Sequence, residues 1–144
     1  MAGDSVADGR RIAELLASEV DGRVDGNLDT LAVVNPDRSV EGTPDGKRAY
    51  DIERAVDGNW EDARTRHAPD ESRGELLAEV YVHDDRVRIE FREAQDAAAE
   101  ATAERGLRAR PKAVDPPKTL VFVESGAEVK RAVDVVEAVT EAVD

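Results

Sequence analysis

The chain has 144 residues, 40% of them hydrophobic, with 33 acidic side chains against 20 Lys and Arg for a formal charge of -13. That length suits one domain over residues 1–144, burying about two-thirds of its unfolded surface. The absence of cysteine excludes disulfides, thiol nucleophiles, thiolate-bound zinc and iron–sulfur clusters. No apolar run reaches the roughly 18 residues of a membrane span, and the acidic start from Met1 to Arg11 lacks the basic-then-apolar pattern of a leader. A cytoplasmic protein away from membranes is expected.

In chain order, residues 5–20 place Ile12, Leu15, Leu16 and Val20 at helical spacing among Arg10, Arg11, Glu14 and Glu19, an amphipathic helix ending near Asp21-Gly22. Residues 28–34 (LDTLAVV) suit a strand, closed by Asn35-Pro36-Asp37. Thr43-Pro44-Asp45-Gly46 is a turn signal, and residues 47–54 then alternate with Tyr50 and Ile52 on one face. From 55 to 74 the chain is polar and irregular, around Trp60 and Pro69, and is expected to be a long mobile loop. LLAEVYV and RVRIEFR flank Asp84-Asp85 as a hairpin, whose two-residue loop pairs Val82 with Val87, Val80 with Ile89 and Ala78 with Phe91. The other face carries Tyr81 beside Arg88 and Leu77 beside Arg92. Residues 93–105 form an Ala-rich helix stopped by Gly106. Leu107 to Arg110 suits an edge strand before Pro111, and TLVFV a central strand. A last helix lines up Val129, Val133, Val136, Val139 and Val143, with Ser125 and Glu128 spaced as a capping box.

Runs of strands rather than strict alternation with helices argue for α+β: a mostly antiparallel sheet of about five or six strands with three helices on one face. Only four of the 20 cations are lysines. An acidic surface is tolerable in molar salt, where the screening length falls to roughly 3 Å, and arginine is the less strongly hydrated pairing cation. In these respects the chain resembles the small uncharacterised protein families of haloarchaea, a resemblance that implies a halophilic setting and no particular activity.

Few residues invite chemistry. Asp21, Asp25, Asn27 and Asp29 surround two glycines as a calcium loop would, but from Asp21 the third ligand position falls on Arg23 and the twelfth on Ala32. His83 at a hairpin tip is expected to be an ordinary surface imidazole, and His67 lies in the irregular loop. Ser125 lacks the glycine-flanked elbow of a hydrolase nucleophile. No catalytic residue, metal ligand or cofactor site is assigned.

One constellation remains. Arg86, Arg88 and Arg92 alternate along one strand and Arg108 and Arg110 along another, sharing with Tyr81 the face that the helices do not cover. Glu79 and Glu90 are expected to neutralise these arginines as solvated pairs, each worth less than about 1 kcal/mol.

The leading expectation is therefore a non-catalytic protein-interaction or adaptor domain, as a homodimer or with another protein. Val135 and Ala138 support it by widening the apolar stripe of the last helix. RNA or nucleotide binding on the arginine face is the alternative, weakened by a single stacking ring and by overall acidity that repels phosphate. A carboxylate-based enzyme is a third reading, with no acid singled out.

Overall fold

The computed structural model describes residues 8–22, 31–34, 36–37, 39–55, 74–112 and 118–143. The Asp8 carboxylate accepts the Arg11 amide at 3.1 Å and so caps the first helix, α1 (Gly9–Gly22). Ile12, Ala13, Leu16 and Val20 form its buried stripe. The strands β1 (Leu31–Val34), β2 (Lys47–Ala55), β3 (Gly74–Val82) and β4 (Val87–Phe91) follow, then helix α2 (Gln95–Glu104), β5 (Arg108–Lys112) and β6 (Lys118–Val123). A single 3-10 turn (Gly126–Glu128) leads into α3 (Val129–Val143). The sheet order is β1-β2-β3-β4-β6-β5 and every pairing is antiparallel. One apolar core joins its inner face to all three helices, the α+β arrangement that the pattern of elements implies.

The hairpin register is the one alternation predicts: Val82 faces Val87, Val80 faces Ile89 and Ala78 faces Phe91. All six side chains are fully buried, where each larger one stabilises the fold by about 1.5–3 kcal/mol. The His83 amide donates to the Arg86 carbonyl at 2.9 Å and closes the turn around Asp84-Asp85.

Gly106 stops α2 as expected. It takes a φ of +70°, its amide donates to Ala103 and the Leu107 amide reaches back to Thr102, so two last-turn carbonyls are satisfied in a Schellman motif.

The capping box needs correction. The Ser125 side chain makes no cap hydrogen bond. The Glu128 amide donates instead to the Ser125 carbonyl at 3.1 Å, which makes the 3-10 turn and removes the donor that the hydroxyl would have capped. Glu128 still turns back, and its carboxylate accepts the Glu124 amide at 2.8 Å.

The α3 stripe is buried as expected at Val129, Val133, Val136 and Val139. Val135 is also fully buried, and Ala138 packs on the core, where α3 meets both α1 and α2. The extra width at Val135 and Ala138 is thus packed inside the chain.

The expected strand start at 28–30, the 56–73 stretch of the expected mobile loop, His67 and the cluster Asp25, Asn27 and Asp29 lie outside the described residues. Ala55 and Gly74, the ends of that loop, pair with each other as the ends of β2 and β3.

Candidate binding face

Strict alternation along β2 would put Arg48 beside Tyr50 and Ile52, against the helices. The register shifts between Arg48, opposite Tyr81, and Tyr50, opposite Val80, so Ala49 is an extra residue. This bulge keeps Tyr50 in the core, its hydroxyl donating to the Ala13 carbonyl at 2.7 Å, and turns Arg48 onto the helix-free face. There the register aligns one residue from each of five strands: Arg48, Tyr81, Arg88, Phe122 and Arg108. Cations and rings alternate along the row. The Arg88 guanidinium lies 4.4 Å from the Tyr81 ring centre, and those of Arg86 and Arg108 lie 5.6 and 5.8 Å from Phe122. Each contact is within cation–π range, worth about 0.5–1 kcal/mol when exposed.

A second row runs beside the first. Asp51, Glu79 and Glu90 stand opposite one another across β2, β3 and β4, with Leu120 of β6 next in line. Three carboxylates in a line would repel, yet they are only 3%, 5% and 2% exposed. Cations from both sides make this tolerable. Arg48 donates to Asp51 at 2.6 and 2.8 Å and reaches Glu79 at 3.3 Å. Arg92 meets Glu79 at 3.5 Å, and Arg88 donates to Glu90 at 2.8 Å. Lys118 bridges the middle, 3.4 Å from Glu79 and 3.1 Å from Glu90. Burial pulls the Lys118 ammonium down, but the hydrogen bond to Glu90 and the charges of Glu90 and Glu79 outweigh it and hold the group above its ordinary value. The hydrogen bond to Asp51 raises Arg48 likewise, and desolvation followed by Glu79 and Glu90 raises the Tyr81 phenol. The expectation of solvated surface pairs is therefore corrected. These are buried carboxylates in a shared network, where removing one partner costs far more than at a surface.

His83 also departs from expectation, because the hairpin tip is covered. A Cβ at Gly9 or Gly42 would collide with the His83 carbonyl, so α1 and the 39–46 segment close over it at the two points that glycine permits. His83 is 5% exposed. Its Nδ1 lies 3.0 Å from the Pro44 carbonyl and its Nε2 3.0 Å from Arg88 Nη1. Only one neutral tautomer satisfies both contacts: Nδ1–H donates to Pro44, and Nε2 accepts from Arg88. Desolvation and the nearby Arg88 and Arg86 charges hold the imidazole below its ordinary value, against the Pro44 bond that raises it.

A family model described as a family of unknown function (DUF7993) matches residues 1–144. The chain belongs to the DUF7993 family. No curated protein and no solved structure matches it, so any function for this DUF7993 chain is read from its own geometry.

Of the arginines expected on the face, Arg86, Arg88 and Arg108 converge around Tyr81 and Phe122, whereas Arg92 joins the carboxylate row at Glu79. Arg86 also pairs with Asp85 at 3.2 Å and Arg108 with Glu124 at 2.7 Å. Arg110 sits exposed on β5, opposite Leu120. The Arg92 amide donates to the Leu77 carbonyl at 2.9 Å, but Leu77 does not share the arginine face as expected: it is 1% exposed and packs in the apolar core, next to a register shift between β2 and β3. The DUF7993 face adds Arg48, Lys118, Asp51 and Phe122. Phe122 was legible, since it shares parity with Lys118 and Leu120 along β6, whereas nothing local announces the bulge that delivers Arg48. A separate cavity of about 270 Å3 lies on the helix side, between α1, β1 and β2. Its lining mixes apolar side chains such as Ala13, Val33 and Val40 with the charged Arg10, Glu14 and Asp37, and it contains none of the face residues.

Proposed function

We propose that this DUF7993 chain is a non-catalytic binding domain that engages another protein through the helix-free face of its sheet. The observation that carries the reading is the row Arg48, Tyr81, Arg88, Phe122 and Arg108, with both rings half-buried and Arg108 exposed. Aromatic and arginine side chains are the residues protein interfaces enrich, and a few of them carry most of the binding energy. The buried ion network supports the reading by fixing Arg48 and Arg88 in place, so little side-chain freedom is lost on contact. Asp51, Glu79 and Glu90 serve this positioning rather than a reaction.

RNA binding gains one point from Phe122, because sheet-face readers stack bases on two or three rings. It loses more at Tyr81, whose ring face is already covered by Arg88 at 4.4 Å, and through a net charge of -13 that repels phosphate. Another protein is the favoured partner, because Val135 and Ala138 pack within the chain and the widened stripe of α3 no longer supports a second copy. The setting consistent with such acidity and arginine preference is a salt-rich cytoplasm, as in haloarchaea. No helix among the described residues is long and apolar enough to cross a membrane.

The test is affinity capture with wild type, with Phe122→Ser combined with Arg108→Glu, and with Arg10→Glu combined with Arg11→Glu on exposed α1 as control. Captured proteins are purified and titrated individually. Loss of a central ring and its arginine should weaken the true partner by about 30-fold or more, the hot-spot scale, while the control binds normally. A partner lost by the α1 variant and retained by the face variant would place the interface elsewhere.

A further inference from the structure

Among the described residues the sheet ends on β5, which pairs with β6 alone. The opposite edge, β1, is short and closed: Leu31, Ala32 and Val34 are 2–3% exposed. By contrast Arg108, Ala109 and Arg110 are all exposed, with the Arg108 side chain 73% accessible. In a chain of net charge -13, the stretch Leu107–Lys112 carries three cations and no acid. Arg108 also joins the edge to the aromatic row, since it faces Phe122 across the β5–β6 ladder.

Cations and proline on an edge strand discourage edge-to-edge pairing of identical copies. Two β5 edges side by side would set arginines against arginines, so self-pairing is disfavoured by the same residues. The charges do not oppose an acidic strand. We propose that β5 is the docking edge for an extended acidic segment of the partner protein, which adds to the sheet beside β5 and lays its carboxylates over Arg108 and Arg110. The inference rests on the binding-domain reading and specifies its partner. Main-chain hydrogen bonds along Arg108 to Arg110 supply the attachment, and alternate side chains supply the selectivity. Pro111 donates no hydrogen bond, so the ladder runs from Arg108 and terminates there. Glu124, 2.7 Å from Arg108, is the internal carboxylate that an incoming one must displace or share.

The probe is a capped ten-residue peptide alternating Glu and Thr, titrated into the isotope-labelled full chain at the lowest KCl concentration at which circular dichroism shows it folded, with amide exchange as the readout. Protection should rise at those amides from Arg108 to Arg110 that point away from β6, since successive amides of a strand face opposite sides. Arg108→Glu with Arg110→Glu, both at exposed sites, should keep the wild-type circular dichroism and lose at least tenfold in affinity. A peptide of equal charge with central Thr residues replaced by Pro should lose as much. Equal binding of the Pro peptide would mean charge attraction without strand addition, and no protection at β5, or protection by oligouridylate instead, would likewise overturn the proposal. Failure here, with a partner still lost by Phe122→Ser alone, removes strand addition and leaves the binding face. The reverse pattern, β5 protected and every partner indifferent to Phe122, overturns the face reading instead.

Discussion

Lys118→Met probes the network at its centre. Lys118 Nζ lies 3.4 Å from a Glu79 oxygen and 3.1 Å from a Glu90 oxygen, so those oxygens are no more than about 6.5 Å apart. Without the ammonium, two carboxylates that are 5% and 2% exposed face each other across β3 and β4. At that distance and an effective dielectric near 20 their repulsion is about 2.5 kcal/mol. Arg48 and Arg92 still hold Glu79, and Arg88 still holds Glu90, which limits the damage. The expected loss is about 3–5 kcal/mol, the range for breaking a buried pair on one side. Adding Glu90→Gln removes the repelling charge and should return more than half of it. Urea unfolding at pH 7 and fixed salt measures all four corners of the cycle. A Lys118→Met cost below about 1 kcal/mol, the range of solvated pairs, would refute the picture of buried and coupled carboxylates.

Ile89→Asp puts a carboxylate beside fully buried Val80 and should cost several kcal/mol, whereas Asp84→Asn at the exposed turn should be nearly silent; similar costs in urea would contradict the register. His83 in the unfolded chain binds its proton near 6.5 while the folded environment resists it. Its contribution is therefore complete above about 6.5 and falls as pH drops through that value toward the folded one. Urea midpoints from pH 7.5 to 5.5 should decline more in wild type than in His83→Gln, and equal slopes would remove His83 as the cause. The acidic surface implies a cooperative transition in molar KCl that weakens below roughly 0.2 M as the screening length approaches 10 Å; undiminished thermal stability in dilute buffer would contradict the halophilic setting.

Local patterns made much of the fold legible. The apolar alternation around Asp84-Asp85 determines which hairpin residues meet, and Gly106 marks the end of α2 because its left-handed φ suits that residue. What escaped depends on partners distant in sequence. Alternation puts Arg48 in the core, and only pairing with β3 reveals the bulge at Ala49. Glu79 and Glu90 look like surface acids until Lys118 arrives from β6, 39 and 28 residues away along the chain. His83 looks solvated until Gly9 and Gly42 bring two other segments over it. Phe122 is different: reading TLVFV as a uniformly apolar strand hides a parity that the sequence does contain.

The most direct test of the binding face is an amide-exchange footprint of the intact chain with its purified partner. The row predicts new protection centred on Tyr81, Arg88, Phe122 and Arg108, with the exposed sides of α1 and α3 unchanged. Protection confined to those helices, with the helix-free face exchanging as in the free protein, would contradict it.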